Sequence, residues 1–235
     1  MNRVALLQGI EVAAQRARWT RGLMVALAVV SIACIAVDLS QLEYLGRAQA
    51  GQAVEAAEGQ EIDANQLVVN WTLIGLSMVA GITWLMWVHR ATANLRLAGS
   101  GASRFTPGWA VGWYFVPILN LFRVWQVMQD LAGRSAEGND RPVGPRSESG
   151  LVGAWWAMFV FSRCIGRYVD HAIVKAETLS EVSRATRLSV FSDVLGVVSA
   201  VLAWVVVRRI DRLQREVLVL APPVPIAASE AAPAT

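Results

Sequence analysis

LVVNWTLIGLSMVAGITWLMWV, residues Leu67 to Val88, runs for 22 residues without a charge. About 20 apolar residues in a helix cross the ~30 Å hydrocarbon core of a bilayer. Trp71 sits near the start of the run and Trp84 and Trp87 near its end, where interfacial anchors belong. This stretch sets the fold class, and the rest of the chain repeats its character. Further apolar runs cover Gly22 to Val37, Thr106 to Phe122, Gly150 to Gly166 and Leu188 to Val207. Over the whole 235 residues 55% are hydrophobic and 17% charged, against about a quarter charged in soluble domains. The expectation is an all-α, polytopic membrane helix bundle. Residues 1–220 read as a single membrane-embedded helical domain and 221–235 as a disordered Ala/Pro-rich tail.

The connecting stretches are polar. Residues 2–19 carry Val4, Leu7, Ile10 and Ala14 at helical spacing and read as an amphipathic helix on the membrane surface. Residues 38–66 hold Asp38, Glu43, Glu55, Glu58, Glu61 and Asp63 against Arg47 alone, a solvated and partly helical loop. Residues 133–149 are rich in Gly, Pro and Ser and read as a loop. The first apolar run follows a long leader containing Glu11, and the nearest Ala-x-Ala, Ala48 to Ala50, lies far beyond it. An uncleaved helix fits this better than a signal peptide.

The third apolar run is different. It contains Pro107, Pro117 and Asn120, and an internal proline removes a helical hydrogen bond and clashes one turn back. Beyond Pro117, Leu121, Phe122, Val124, Trp125, Met128 and Leu131 share one face, with Arg123, Gln126, Gln129 and Asp130 on the other. Two topologies compete: five spans, or four spans with the third run re-entrant. Basic residues concentrate on the cytoplasmic side. Four spans with the N-terminus inside place fifteen Lys and Arg in, five out; five spans place eleven in, nine out. The four-span form, with both termini cytoplasmic in the inner (cytoplasmic) membrane, is the expectation. The third run then enters the inner leaflet, turns near Pro117 and returns as an interfacial helix. Such backbone needs cover from protein or water. Nine of the ten tryptophans would lie toward the cytoplasmic side, all but Trp71.

Trp87, Arg90, Ala91, Asn94 and Leu95, the block from Thr106 to Leu121 (TPGWAVGWYFVPILNL), Met128, Leu131 and then Trp155-Trp156 carry a family likeness. The stretch resembles the bacterial membrane-protein family called "domain of unknown function 4328". The resemblance implies a fold and no activity. Its residues also have a physical reading. Pro107 suits a first helical turn. Gly108 and Gly112 form a small-xxx-small pair open to a neighbouring helix. Trp109 and Trp113 lie in the same block. Arg90 and Asn94, one turn apart, are placed to bond backbone freed by Pro117, or Asn120, and so to pin the re-entrant element. A lipid phosphate or anionic ligand at Arg90 is the functional alternative.

Charges inside spans face partners. Arg163 in the fourth run and Asp193 in the fifth have similar depths, about 6 and 9 Å of helix inside the flanking arginines. They are expected to pair. Cys34 and Cys164 lie inside apolar runs and read as small buried hydrophobes. His89 and His171 fall on opposite sides. No HExxH, P-loop or GxSxG sequence occurs, and no cofactor or metal is called for. The net charge of +3, spread along the chain, gives no reason to invoke nucleic acid. The partners implied are the lipid bilayer and a homo-oligomer or a membrane partner. The function reads as non-enzymatic binding or assembly, with a small-solute or lipid transporter or channel as the alternative.

Overall fold

The structure is a computed structural model and describes residues 3–98, 104–136 and 145–220. It is all-α. The helices are α1 (Arg3–Gln49), α2 (Ala56–Leu97), α3 (Pro107–Gly112) with a 3-10 turn (Trp113–Phe115), α4 (Leu119–Ala136), α5 (Pro145–Val174) and α6 (Leu179–Leu220). Three of them are long and apolar enough to cross a membrane: Val4–Gln49, Ala56–Leu97 and Leu179–Glu216. The Ala/Pro-rich tail lies outside the described residues.

Residues 3–19 are not a separate surface helix; they continue into the apolar run as one rod of 47 residues, about 70 Å at 1.5 Å per residue. The reason lies in its buried positions. Leu6, Ile10, Ala13, Ala17, Thr20, Met24, Ser31, Cys34, Asp38 and Leu45 are all buried. Half-buried Leu27 and Gln41 complete a spacing that alternates four and three. That is a coiled-coil seam, and it runs unbroken from the polar leader through the apolar run. It packs α1 along both α2 and α6.

The expected loop over 38–66 shrinks to residues 50–55. Gly51 stops α1 with φ +71°, while Gln52 N–H donates to Arg47 C=O and Gly51 N–H to Ala48 C=O, both at 3.1 Å. This is a Schellman cap, which needs a left-handed residue and so favours glycine. Arg47 then pairs with Glu58 of α2. At the same end, α6 starts on a capping box. Thr178 Oγ1 accepts from Glu181 N–H at 3.3 Å, and Glu181 Oε2 accepts from Thr178 N–H at 3.1 Å.

Around α1 the long helices stand in the row α5–α6–α1–α2. One end holds both described ends of the chain, since Gly9 meets α2 at Arg90 and Asn94, and Gln214 meets α2 at Ala91. The other holds the two short turns at 50–55 and 175–178. At the chain-end side, α3 and α4 fill the space between α2 and α5. The main core gathers there: Leu6, Ile10, Leu95, Met128, Leu131, Val207 and Ile210 are all at most 5% exposed. Burying each such side chain contributes roughly 1.5–3 kcal/mol.

Candidate functional site

The broken element, residues 106–122, is built by local rules. Thr106 caps α3, its hydroxyl accepting from Trp109 N–H at 3.3 Å, with Pro107 in the first turn. Nine helical residues rise about 15 Å before the helix stops. Val116 turns extended, with ψ 109°. Ile118 then takes φ 65° and lets Leu119 N–H reach back to Pro117 C=O at 2.7 Å, a turn of the γ type. Asn120 N–H closes the corner on Val116 C=O at 3.0 Å, and α4 begins. The sequence places the break at Pro117; the residue that bends is its neighbour. A β-branched side chain in the left-handed region is strained. Ile118→Gly is therefore expected to raise stability by about 1 kcal/mol, measured as the unfolding midpoint in mild detergent.

Tryptophans hold this element from both flanks. Trp84 Nε1 of α2 donates to the Tyr114 hydroxyl at 2.9 Å, and Trp156 Nε1 of α5 donates to Leu121 C=O at 2.7 Å. The two donors belong to one ring cluster. Trp84 meets Trp87 edge-on at 5.4 Å and Trp155 at 4.9 Å, and Trp155 meets Trp156 at 5.5 Å. Such ring contacts add about 0.5–1.5 kcal/mol beyond area burial. Within the element Trp109 and Trp113 lie 5.0 Å apart, and Arg123 of α4 sits over Trp113 at 5.2 Å. Outward it presents Phe115, Ile118, Leu119, Leu121 and Phe122, all exposed.

Gly108 and Gly112 do not act as a helix-packing pair. A Cβ on Gly108 would meet nothing within 4 Å, and one on Gly112 would meet only Trp109 of its own helix. The close approach is made by Ala110, fully buried beside them. Arg90 and Asn94 likewise have another partner than the one expected. Arg90 Nε and Asn94 Nδ2 both donate to Gly9 C=O of α1, at 3.3 and 3.1 Å. Nearby Gln214 of α6, 2% exposed, donates to Ala91 C=O at 3.0 Å and Ser135 Oγ of α4 at 3.3 Å. The residues thus tie α1 and α6 to α2 rather than pinning the turn at Pro117.

Arg163 and Asp193 are not brought together. Ser162 and Ser192 are: each hydroxyl donates to the other's backbone C=O, at 3.2 and 3.1 Å. This fixes α5 against α6 at the depth the sequence implies. One residue further on is a turn of about 100° around a helix. It carries Arg163 outward, exposed, with its guanidinium 5.5 Å from the Phe159 ring. The same rotation carries Asp193 toward α1, where Cys34 and Asp38 are its electrostatic neighbours. The acidic composition around Asp38 implies a solvated loop, and the structure departs from it. Asp38 is 2% exposed, faces Gln66 and Ser189, and its Oδ2 has no hydrogen-bond partner.

A membrane-type helix bundle with a tryptophan-clamped, broken third segment is thus the class that fold and site define. The profile of the domain of unknown function called DUF4328 matches residues 50–212. The chain belongs to that family. The matched stretch begins just after α1 ends. Comparison with the curated proteins and with the solved structures finds no match.

Proposed function

We propose that the chain is a four-span protein of the inner (cytoplasmic) membrane, with both termini cytoplasmic, acting without catalysis by binding or assembly through the broken element. The observation that carries this reading is the outward apolar tip, Phe115 to Phe122, held rigid by the two tryptophan donors. A tip so fixed offers an ordered surface to a second copy or to another membrane protein, with little ordering entropy left to lose on binding. Nine helical residues before the break fall short of a ~30 Å crossing, which favours a re-entrant segment. α5 carries Arg163 and Arg167 in its second half and is the third of the four spans in chain order. Both described chain ends at one end of the bundle fit an even number of crossings.

Single cysteines at Ser100, Ser147 and Ala227, with Cys34 and Cys164 replaced, test the topology in intact cells. All three should resist an impermeant reagent and react after permeabilisation. Reaction of Ser147→Cys and Ala227→Cys from outside would overturn the four-span form. A crosslinker at Phe122→Cys should capture a homo-oligomer or a membrane partner, and a monomer alone would count against assembly. The second reading, a carrier for a small solute or lipid, draws on buried Asp38 and half-buried Asp193. It would take over if vesicles holding the purified protein showed flux that fell in Asp193→Asn.

A further inference from the structure

Two contacts set the register of the antiparallel pair α1 and α6. Thr186 Oγ1 meets Gln41 Oε1 at 3.3 Å, and a Cβ on Gly196 would lie 3.9 Å from Ser31 Oγ. Interpolating, Cys34 stands opposite Asp193 and Asp38 opposite Ser189. This agrees with the electrostatic neighbours of each. Two carboxylates, Asp38 and Asp193, therefore share one seam. Neither is ion-paired among the described residues; Arg163 points away and Arg47 is held by Glu58.

The neighbours supply oxygens and no positive charge. Asp38 Oδ2 and Gln66 Oε1 are both buried acceptors without a hydrogen-bond partner. Gln66 turns its amide nitrogen the other way, toward Asn70 Oδ1 at 3.4 Å. Ser189 and Gln66 are the side chains that bond toward the Asp38 carboxyl, and they leave its Oδ2 without a full hydrogen bond. Buried charge without compensation is costly. Among the buried side-chain atoms without a partner, Asp38 Oδ2 and Gln66 Oε1 are the two acceptors that lie along this seam.

An acidic cavity lies beside the seam. Between α1 and α2 a cavity of about 240 Å³ opens, lined by residues that include Val37, Ser40, Ile62 and Asn65. Val37 and Asn65 are the chain neighbours of Asp38 and Gln66. Glu43, Glu58 and Glu61 also line it, with Arg47 as its one basic residue. Such a funnel concentrates cations.

We propose that Asp38, Gln66, Ser189 and Asp193 form a binding site for one small monovalent cation, a proton or an alkali ion. A proton on Asp38 would donate to Gln66 Oε1. An alkali ion would be held by the carboxylates and the neutral oxygens, hard donors for a hard cation. The titratable side chains in reach are Cys34 on α1 and Asp193 on α6; α2 contributes Gln66, and α5 turns Arg163 outward. The site is independent of the broken element and of the topology proposed above.

The test uses the full chain in detergent or nanodiscs. Sodium chloride and potassium chloride are titrated against choline chloride at constant ionic strength and at several pH values. An alkali site should raise the unfolding midpoint with alkali concentration, by about 3 °C per tenfold above the dissociation constant, and Asp38→Asn and Asp193→Asn should abolish the rise. A proton site should show no alkali dependence. It should instead give an infrared band of a protonated carboxylic acid at neutral pH that disappears in either variant. Both wild-type readings stand even if a variant folds poorly, and Ser189→Ala provides a milder perturbation of the same site. No alkali dependence together with no protonated carboxyl band in the wild-type protein would overturn the proposal.

Discussion

Gly9→Val should destabilise the protein by about 2 kcal/mol. Helix propensity alone argues the other way, since glycine in a helix interior costs roughly 0.5–1 kcal/mol relative to alanine. Packing decides the sign. A Cβ at Gly9 would collide with Asn94 Oδ1 and Arg90 Nη2. Arg90 can swing its long side chain aside, but Asn94 is short and fully buried. Overpacking of this kind costs about 1–3 kcal/mol, and the hydrogen bonds to Gly9 C=O are displaced with it, at about 1 kcal/mol each. Gly22 provides the control, because a Cβ there meets nothing within 4 Å. Gly22→Ala should stabilise by up to about 1 kcal/mol. Unfolding midpoints in mild detergent measure both, and equal shifts for the two variants would remove Asn94 as the limiting contact.

Trp84→Ala should cost still more, about 3–5 kcal/mol. Trp84 is 6% exposed and touches both Trp87 and Trp155, so its removal opens a hole where α2, α5 and the broken element meet. It also leaves the Tyr114 hydroxyl without its Trp84 donor. Trp84→Phe separates the two losses, keeping most of the ring and forfeiting the bond, for about 1 kcal/mol. A cysteine at Phe115 gives the local reading. Its reactivity should rise in both variants if Trp84 holds the turn in place. An increase in Trp84→Ala alone would assign the clamp to ring packing.

Depth along a helix was legible in the sequence; direction around it was not. The apolar runs mark the long helices because composition alone selects the hydrocarbon. Pro117 marks the break because its ring and missing N–H act locally. Arg163 and Asp193 do lie at matching depths, as their distances from Arg167 and Arg187 imply. Which way each points depends on the seam residue beside it, and Ser162 and Ser192 give no apolar signal of a seam. Arg90 and Asn94 were recognisable as a pair. Their partner, Gly9, lies over eighty residues earlier in the chain, and no local pattern names it. Asp38 closes an apolar run and opens an acidic stretch, so composition alone assigns it to solvent. Only the four-three spacing back to Leu6 reveals it as a seam position, and that spacing crosses the boundary between polar leader and apolar run where attention to composition divides the helix.

The unbroken length of α1 has a mechanical meaning. It contains no proline, the commonest cause of a sharp kink, so it behaves as a stiff shaft. Gly9 and Asp38 sit on the same seam side of that shaft, about 44 Å apart along its axis at 1.5 Å per residue. A shaft gripped at one end by Arg90 and Asn94 turns as a whole or not at all. Any change in charge at Asp38 that rotates the far end must therefore work against the grip on Gly9, in the packed end where the tryptophan-held segment also docks.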